Sequence, residues 1–180
     1  MSNGNRQRID TLVIGGGQAG LAVGYHLNQA RVPFQIVDAN ERTGDTWRQR
    51  WDSLRLFTPN RFNSLPGLTI PGEDWGFPTK DEVADYLESY AKHFDFPIVH
   101  GTRVDRLTRD GHRFVATAGE RDLEADNVIV AMALYQEPKT PDFSDRLDSS
   151  IFQVHVDDYE SPRQLNEGGV LVVGLGNSGA

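Results

Sequence analysis

Three glycines, Gly15, Gly17 and Gly20, followed by a carboxylate at Asp38, are spaced for nucleotide chemistry in this 180-residue chain. In a Gly-x-Gly-x-x-Gly turn the first glycine turns the chain. The second lets a pyrophosphate reach the backbone, and the third lets strand and helix pack closely. A helix opening behind such a turn offers unpaired N–H groups and the positive end of its dipole to the phosphates. Asp38 closes the next apolar run at about the ~20-residue offset of a carboxylate that accepts ribose hydroxyls. It would repel a 2′-phosphate, so this first site predicts FAD or NAD rather than NADP. The plainer alternatives are a strand–helix turn and a surface aspartate ending a strand.

The pattern recurs at Gly174, Gly176 and Gly179, again directly after an apolar run, Val170 to Val173. Asn177 and Ser178 stand where the turn would hand over to a helix, placed to cap it and to touch phosphate. Two such motifs in series predict a two-nucleotide flavoprotein, with FAD first and a nicotinamide cofactor, NADPH or NADH, second.

These motifs need elements to hold them. Thr11 to Ile14 reads as a short buried strand, Leu21 to Ala30 as a helix and Val32 to Val37 as a second strand. Strand, glycine turn, helix and strand form a βαβ unit, the start of a doubly wound α/β sheet. From Ala39 to Pro78 the pattern dissolves into a long loop that holds all three tryptophans, the kind of insert that covers a ligand. Thr79-Lys80-Asp81-Glu82 is a capping box, and Val83, Leu87, Tyr90, Ala91 and Phe94 fall on one helical face behind it. Residues 103–109, 113–118 and 121–125 predict a small meander, and Asn127 to Ala133 a further buried strand. Pro138 and Pro141 mark an exit linker.

The residues between the glycine motifs resemble the flavin-dependent monooxygenases, the superfamily of flavin-containing monooxygenases, Baeyer–Villiger enzymes and plant auxin-synthesis relatives. The resemblance is carried by Arg42-Thr43-Gly44-Asp45-Thr46-Trp47-Arg48, Arg50-Trp51, Leu54-Arg55-Leu56-Phe57-Thr58-Pro59, Phe77-Pro78, Tyr86-Leu87, Tyr90-Ala91 and the GLGNSGA ending. Phe152, His155, Tyr159 and Pro162 are similar to the family fingerprint, here compressed and lacking its glycine. The family's A-T-G before the linker reads Ala131-Met132-Ala133, and Pro59 stands where N-oxygenating members carry an asparagine.

The resemblance implies a three-layer ββα FAD-binding domain over residues 1–141. A linker and the start of an NAD(P)H-binding domain would occupy 142–180, cut short at its end. It implies Thr46 and Trp47 along the flavin, with Gln18, Ala19 and Arg48 on the pyrophosphate side. It also implies a reaction in which NAD(P)H reduces FAD, O2 adds, and a peroxyflavin delivers one oxygen atom to a small organic substrate. The cofactor then carries the hard chemistry, so no side chain is assigned a catalytic role. The 180-residue chain by itself is expected to be inactive, and the alternative is a non-catalytic nucleotide-binding module.

Composition narrows the field. The chain contains no cysteine, which within this sequence excludes thiolate metal sites and the redox Cys-x-x-Cys of a disulfide reductase. A net charge of −8 argues against nucleic acid or anionic lipid as partner. No apolar run is long enough to span a bilayer, and no leader is readable, so the expected location is the cytoplasm. Against that acidic background Arg42, Arg48, Arg50, Arg55 and Arg61 form a basic cluster, either a solvated face or a set of phosphate contacts.

Overall fold

A computed structural model describes residues 7–133, 137–174 and 176–179. Six strands form one mixed sheet in the order β3-β2-β1-β6-β5-β4. The elements are β1 (Gln7–Ile14), α1 (Gln18–Gln29), β2 (Phe34–Val37), a one-turn helix α2 (Asp45–Arg48), α3 (Lys80–His93), β3 (Ile98–Val99), β4 (Arg106–Asp110), β5 (Arg113–Ala118) and β6 (Arg121–Val130). β1 pairs in parallel with β2 and β6, and β2 with β3. β4 and β5 are antiparallel additions hung on β6.

Two sequence expectations change here. The meander's third strand and the strand over Asn127 to Ala133 are one element. β6 pairs with β5 through Arg121–Ala125 and with β1 from Leu123 to Val130. No glycine or proline interrupts Leu123 to Val130, and the chain stays extended through Asp126 and Asn127, so one run serves both partners. The second change concerns Val170 to Val173. These residues join no strand, and their exposures run from 59% to 86%. A buried strand needs both a ladder partner and cover on its face; the described residues supply neither.

Successive side chains of a strand point to opposite faces, so β1 feeds two cores. On one face Val13 and Ile36 meet Leu21 of α1 and Val83, Leu87 and Tyr90 of α3. On the other, Leu12, Ile14 and Val37 meet Ala116, Leu123 and Ala125 of the meander. Helices, central sheet and meander are thus the three expected layers.

The capping box forms as predicted. The Glu82 N–H donates to Thr79 Oγ1 at 3.2 Å, and the Thr79 N–H donates to the Glu82 carboxylate at 2.7 Å. On the buried face of α3, the Tyr86 hydroxyl donates to Leu68 O at 2.7 Å and accepts from the Leu65 N–H at 2.6 Å. The Tyr90 hydroxyl donates to Pro66 O at 2.6 Å. Burial pushes the Tyr90 phenol up to about 12, so it stays a donor throughout the working range. The long segment after β2 is thereby fastened to α3, with its own α2 and a 3-10 turn at Asn60–Phe62. None of the described helices is long and apolar enough to cross a membrane.

Candidate functional site

The first glycine turn sits where β1 ends and α1 begins, and its three glycines have separate duties. Gly15 has φ +107, and a Cβ there would lie 2.5 Å from the Ala131 carbonyl oxygen of the chain leaving β6. A Cβ at Gly20 would lie 1.9 Å from the Gly15 carbonyl oxygen. Both glycines are required by the fold itself. Gly17 differs: its φ of −82 suits any residue, and a Cβ there would meet nothing within 4 Å. The space above Gly17 is free for a ligand to approach the backbone.

Gly17 is also the N-cap of α1, and no side chain caps that end. The first-turn N–H groups, including those of the exposed Gln18 and Ala19, carry the helix's positive end without a side-chain partner.

Asp38 ends β2 beside this turn and is 9% exposed. Its Oδ2 accepts the Gly16 N–H at 2.5 Å, and its Oδ1 accepts the Asn40 N–H at 2.7 Å and the Asn40 side-chain amide at 2.8 Å. The carboxylate therefore ties the glycine turn to the end of β2.

Thr46 joins the same corner: its exposed hydroxyl accepts from the Asn40 amide at 3.2 Å. Trp47 is half-buried against the α1–α3 core. Gly44, at φ +92, precedes α2 at a point where a Cβ would lie 2.6 Å from the Ala84 carbonyl oxygen. That approach lets α2 lie directly on α3.

Arg48 is engaged within the chain. Its guanidinium donates to Thr43 O at 2.8 Å and reaches Asp45 at 3.2 Å, Asp85 at 3.0 Å and Glu88 at 2.8 Å. Burial works against its charge, but hydrogen bonds to Asp85 and Asp45 and the charges of Glu88 and Asp85 outweigh that and hold it raised. Its bonds bind α2 to α3. The other arginines of the basic cluster also have partners within the chain. Arg42 pairs with Asp45, Arg50 with Asp157, and Arg55 with the Phe77 carbonyl, while Arg61 lies over the rings of Phe62 and Trp75.

The second glycine turn repeats the first in local geometry. Gly174 has φ +117, and a Cβ at Gly179 would lie 2.3 Å from the Gly174 carbonyl oxygen and 3.5 Å from a Val172 methyl. At the first turn Gly20 meets the Gly15 carbonyl and, at 3.6 Å, a Val13 methyl. Gly176, Asn177 and Ser178 are exposed, and nothing within 4 Å meets a Cβ at Gly176. No hydrogen bond links the described residues of this turn to the first. His155 lies beside Asp157, its Nδ1 accepting the Asp157 N–H at 3.2 Å.

Two residues of the first site went unnoticed in the sequence, Asn40 and Gly44. Asn40 lies two positions beyond Asp38, a spacing at which its N–H and side chain can fold back onto the carboxylate. Gly44 lies inside the motif that carried the resemblance, but only the packing of Ala84 reveals its duty.

Residues 12–180 match the family described as pyridine nucleotide-disulphide oxidoreductase. The chain is 49% identical over 172 residues to an oxidoreductase named CzcO-like from Geobacillus kaustophilus (strain HTA426), covering 96% of this chain and 49% of that protein. It is 34% identical to the indole-3-pyruvate monooxygenase YUCCA1 of Oryza sativa subsp. japonica, covering 93% of this chain and 42% of that one. Among solved structures it is similar to a flavin monooxygenase from Stenotrophomonas maltophilia, a Q193R H194T mutant. The TM-score is 0.82 at 33% identity, over 88% of this chain and 48% of that chain. The chain thus spans about half the length of the curated relatives it matches.

Proposed function

The chain is a member of the pyridine nucleotide-disulphide oxidoreductase family, and we propose that it carries its nucleotide chemistry in the two glycine turns and forms the FAD-binding part of an NAD(P)H-dependent monooxygenase. In this reading one atom of O2 is transferred to a small organic substrate. The observation that carries it is the open approach over Gly17 at an uncapped helix end, flanked by Asp38.

The residues present fit FAD. Gly17 with the N–H groups of Gln18 and Ala19 would receive the pyrophosphate, and Asp38 the adenosine ribose. Thr46 and Trp47 would stand toward the flavin. Arg48 would act through α2, keeping Thr46 and Trp47 in place by its bonds to Asp85 and Glu88. Gly174, Gly176, Asn177, Ser178 and Gly179 would receive the nicotinamide cofactor. Bound flavin, once reduced, supplies the reaction with O2; the chain binds, orients and shields.

The family name also covers disulfide reductases. Zero cysteines favour the oxygenase reading over that one, as do relatives whose printed names are monooxygenases at 33–34% identity. The test adds FAD and NADPH to the whole protein that carries this sequence and follows nicotinamide oxidation together with oxygen uptake. Bound flavin that is reduced and then consumes O2 is the expected result. Bound flavin that NADPH never reduces would leave a nucleotide-binding module and overturn the proposal.

A further inference from the structure

Asn40 borders the first site and has no assigned role there. Its side-chain amide nitrogen donates to Asp38 Oδ1 at 2.8 Å and to Thr46 Oγ1 at 3.2 Å. A carboxylate only accepts, so the amide atom facing Asp38 is the nitrogen. Both amide hydrogens are therefore engaged inward. The amide oxygen has no hydrogen-bond partner among the described residues, and Asn40 is only half-buried.

Asp38 is more occupied than a free carboxylate. Its Oδ1 already receives two donors, the Asn40 N–H and the Asn40 amide, while Oδ2 receives only the Gly16 N–H. A carboxylate oxygen has about two acceptor directions, so Asp38 keeps one, on Oδ2. A ribose diol presents two hydroxyls.

We propose that Asn40 supplies the missing acceptor: Asp38 Oδ2 takes one hydroxyl of the adenosine ribose and the Asn40 amide oxygen takes the other. The inference rests on the reading of the first site as the FAD site. It makes Asn40 a specificity residue for an unmodified nucleoside diol. Its carbonyl oxygen beside the Asp38 carboxylate forms an acceptor-only pair, which a 2′-phosphate cannot satisfy. The anchored nitrogen side also links the ribose corner to Thr46, so the diol is read by an amide already held on both sides.

Asn40→Ala should fold, because the backbone bonds of residue 40, N–H to Asp38 and carbonyl from the Gly101 N–H, do not need the side chain. Thermal unfolding without flavin checks this. Flavin fluorescence titrations then compare FAD with two analogues, one lacking the adenosine 2′-hydroxyl and one lacking the 3′-hydroxyl. The wild-type protein should bind each analogue at least about fivefold more weakly than FAD. Asn40→Ala should become indifferent to one of the two deletions while keeping its full sensitivity to the other.

Equal weakening of all three ligands in Asn40→Ala would mean that Asn40 only braces Asp38, and would overturn the inference alone. Unchanged discrimination in the variant would overturn it too. A wild-type protein indifferent to both deletions, and binding riboflavin as tightly as FAD, would overturn the first-site reading itself. Thr46→Val, which frees one side of the amide, should reduce the same discrimination in part; full discrimination there together with its loss in Asn40→Ala still supports the amide oxygen as the acceptor.

Discussion

The α-carbon of Gly20 faces the carbonyl oxygen of Gly15 so closely that a Cβ on Gly20 would stand 1.9 Å from it. Two residues five positions apart are locked together by the absence of a side chain, and Gly17 between them has open space. Gly20→Ala should therefore destabilise by about 3 kcal/mol or prevent folding, measured by chemical denaturation. Gly17→Ala should change stability by no more than about 1 kcal/mol while lowering FAD affinity about tenfold or more. A Gly17→Ala protein that binds flavin normally would remove the pyrophosphate from this turn.

Ala133 occupies the left-handed region, at φ +63, just after the chain leaves β6. An L residue there carries a penalty of about 1 kcal/mol that glycine avoids. Ala133→Gly should therefore raise stability by no more than about 0.5 kcal/mol, once the extra freedom of glycine in the unfolded chain is set against the relief. The family's glycine at this position is the residue that the local backbone calls for. A lower thermal midpoint for Ala133→Gly would contradict this account.

The backbone N–H of Thr79, and next its hydroxyl, hold Glu82 below its ordinary 4.5. A carboxylate depressed on folding adds stability that is complete above the unfolded value and is lost as pH falls through the folded one. Glu82→Ala should thus cost about 0.5–1 kcal/mol at neutral pH through the lost cap. The difference from wild type should be complete above pH ~4.5 and shrink as the pH falls below it. Paired thermal melts across that range decide it; a constant gap would show that Glu82 acts by packing and not by its charge.

The βαβ unit and the capped helix were legible because their signals are local. A glycine turn between an apolar run and a helical period, or Thr79 three residues before Glu82, names its own conformation. The second turn was legible for the same reason: Gly174 and Gly179 adopt the geometry of Gly15 and Gly20 although no strand adjoins them among the described residues. What local signals could not give was partnership. Val170 to Val173 has the composition of a buried strand, but burial depends on what lies beside it. The joining of 121–125 with 127–130 into β6 depends on β1 and β5 lying on its two edges. The partners of Arg48 were hidden likewise, since Asp85 and Glu88 lie on a helix that only the fold brings near. At the site, the glycines and Asp38 could be read from spacing, whereas Asn40 became visible only when its amide could be seen between Asp38 and Thr46.

β6 closes the sheet by lying against β1, with Leu12 opposite Val128 and Ile14 opposite Val130. A ribosome emits β1 near the beginning of this sequence and β6 only after α1, β2, α3 and the meander have followed. The central strand must therefore wait, half-satisfied, until β6 follows it, because non-local pairing is a late event and loop closure has to precede it. During that interval the apolar edge of β1 is exposed to any other strand. Nascent chains of this protein should be most prone to association before the codon for Val130 is read, and far less so once β6 has emerged and paired.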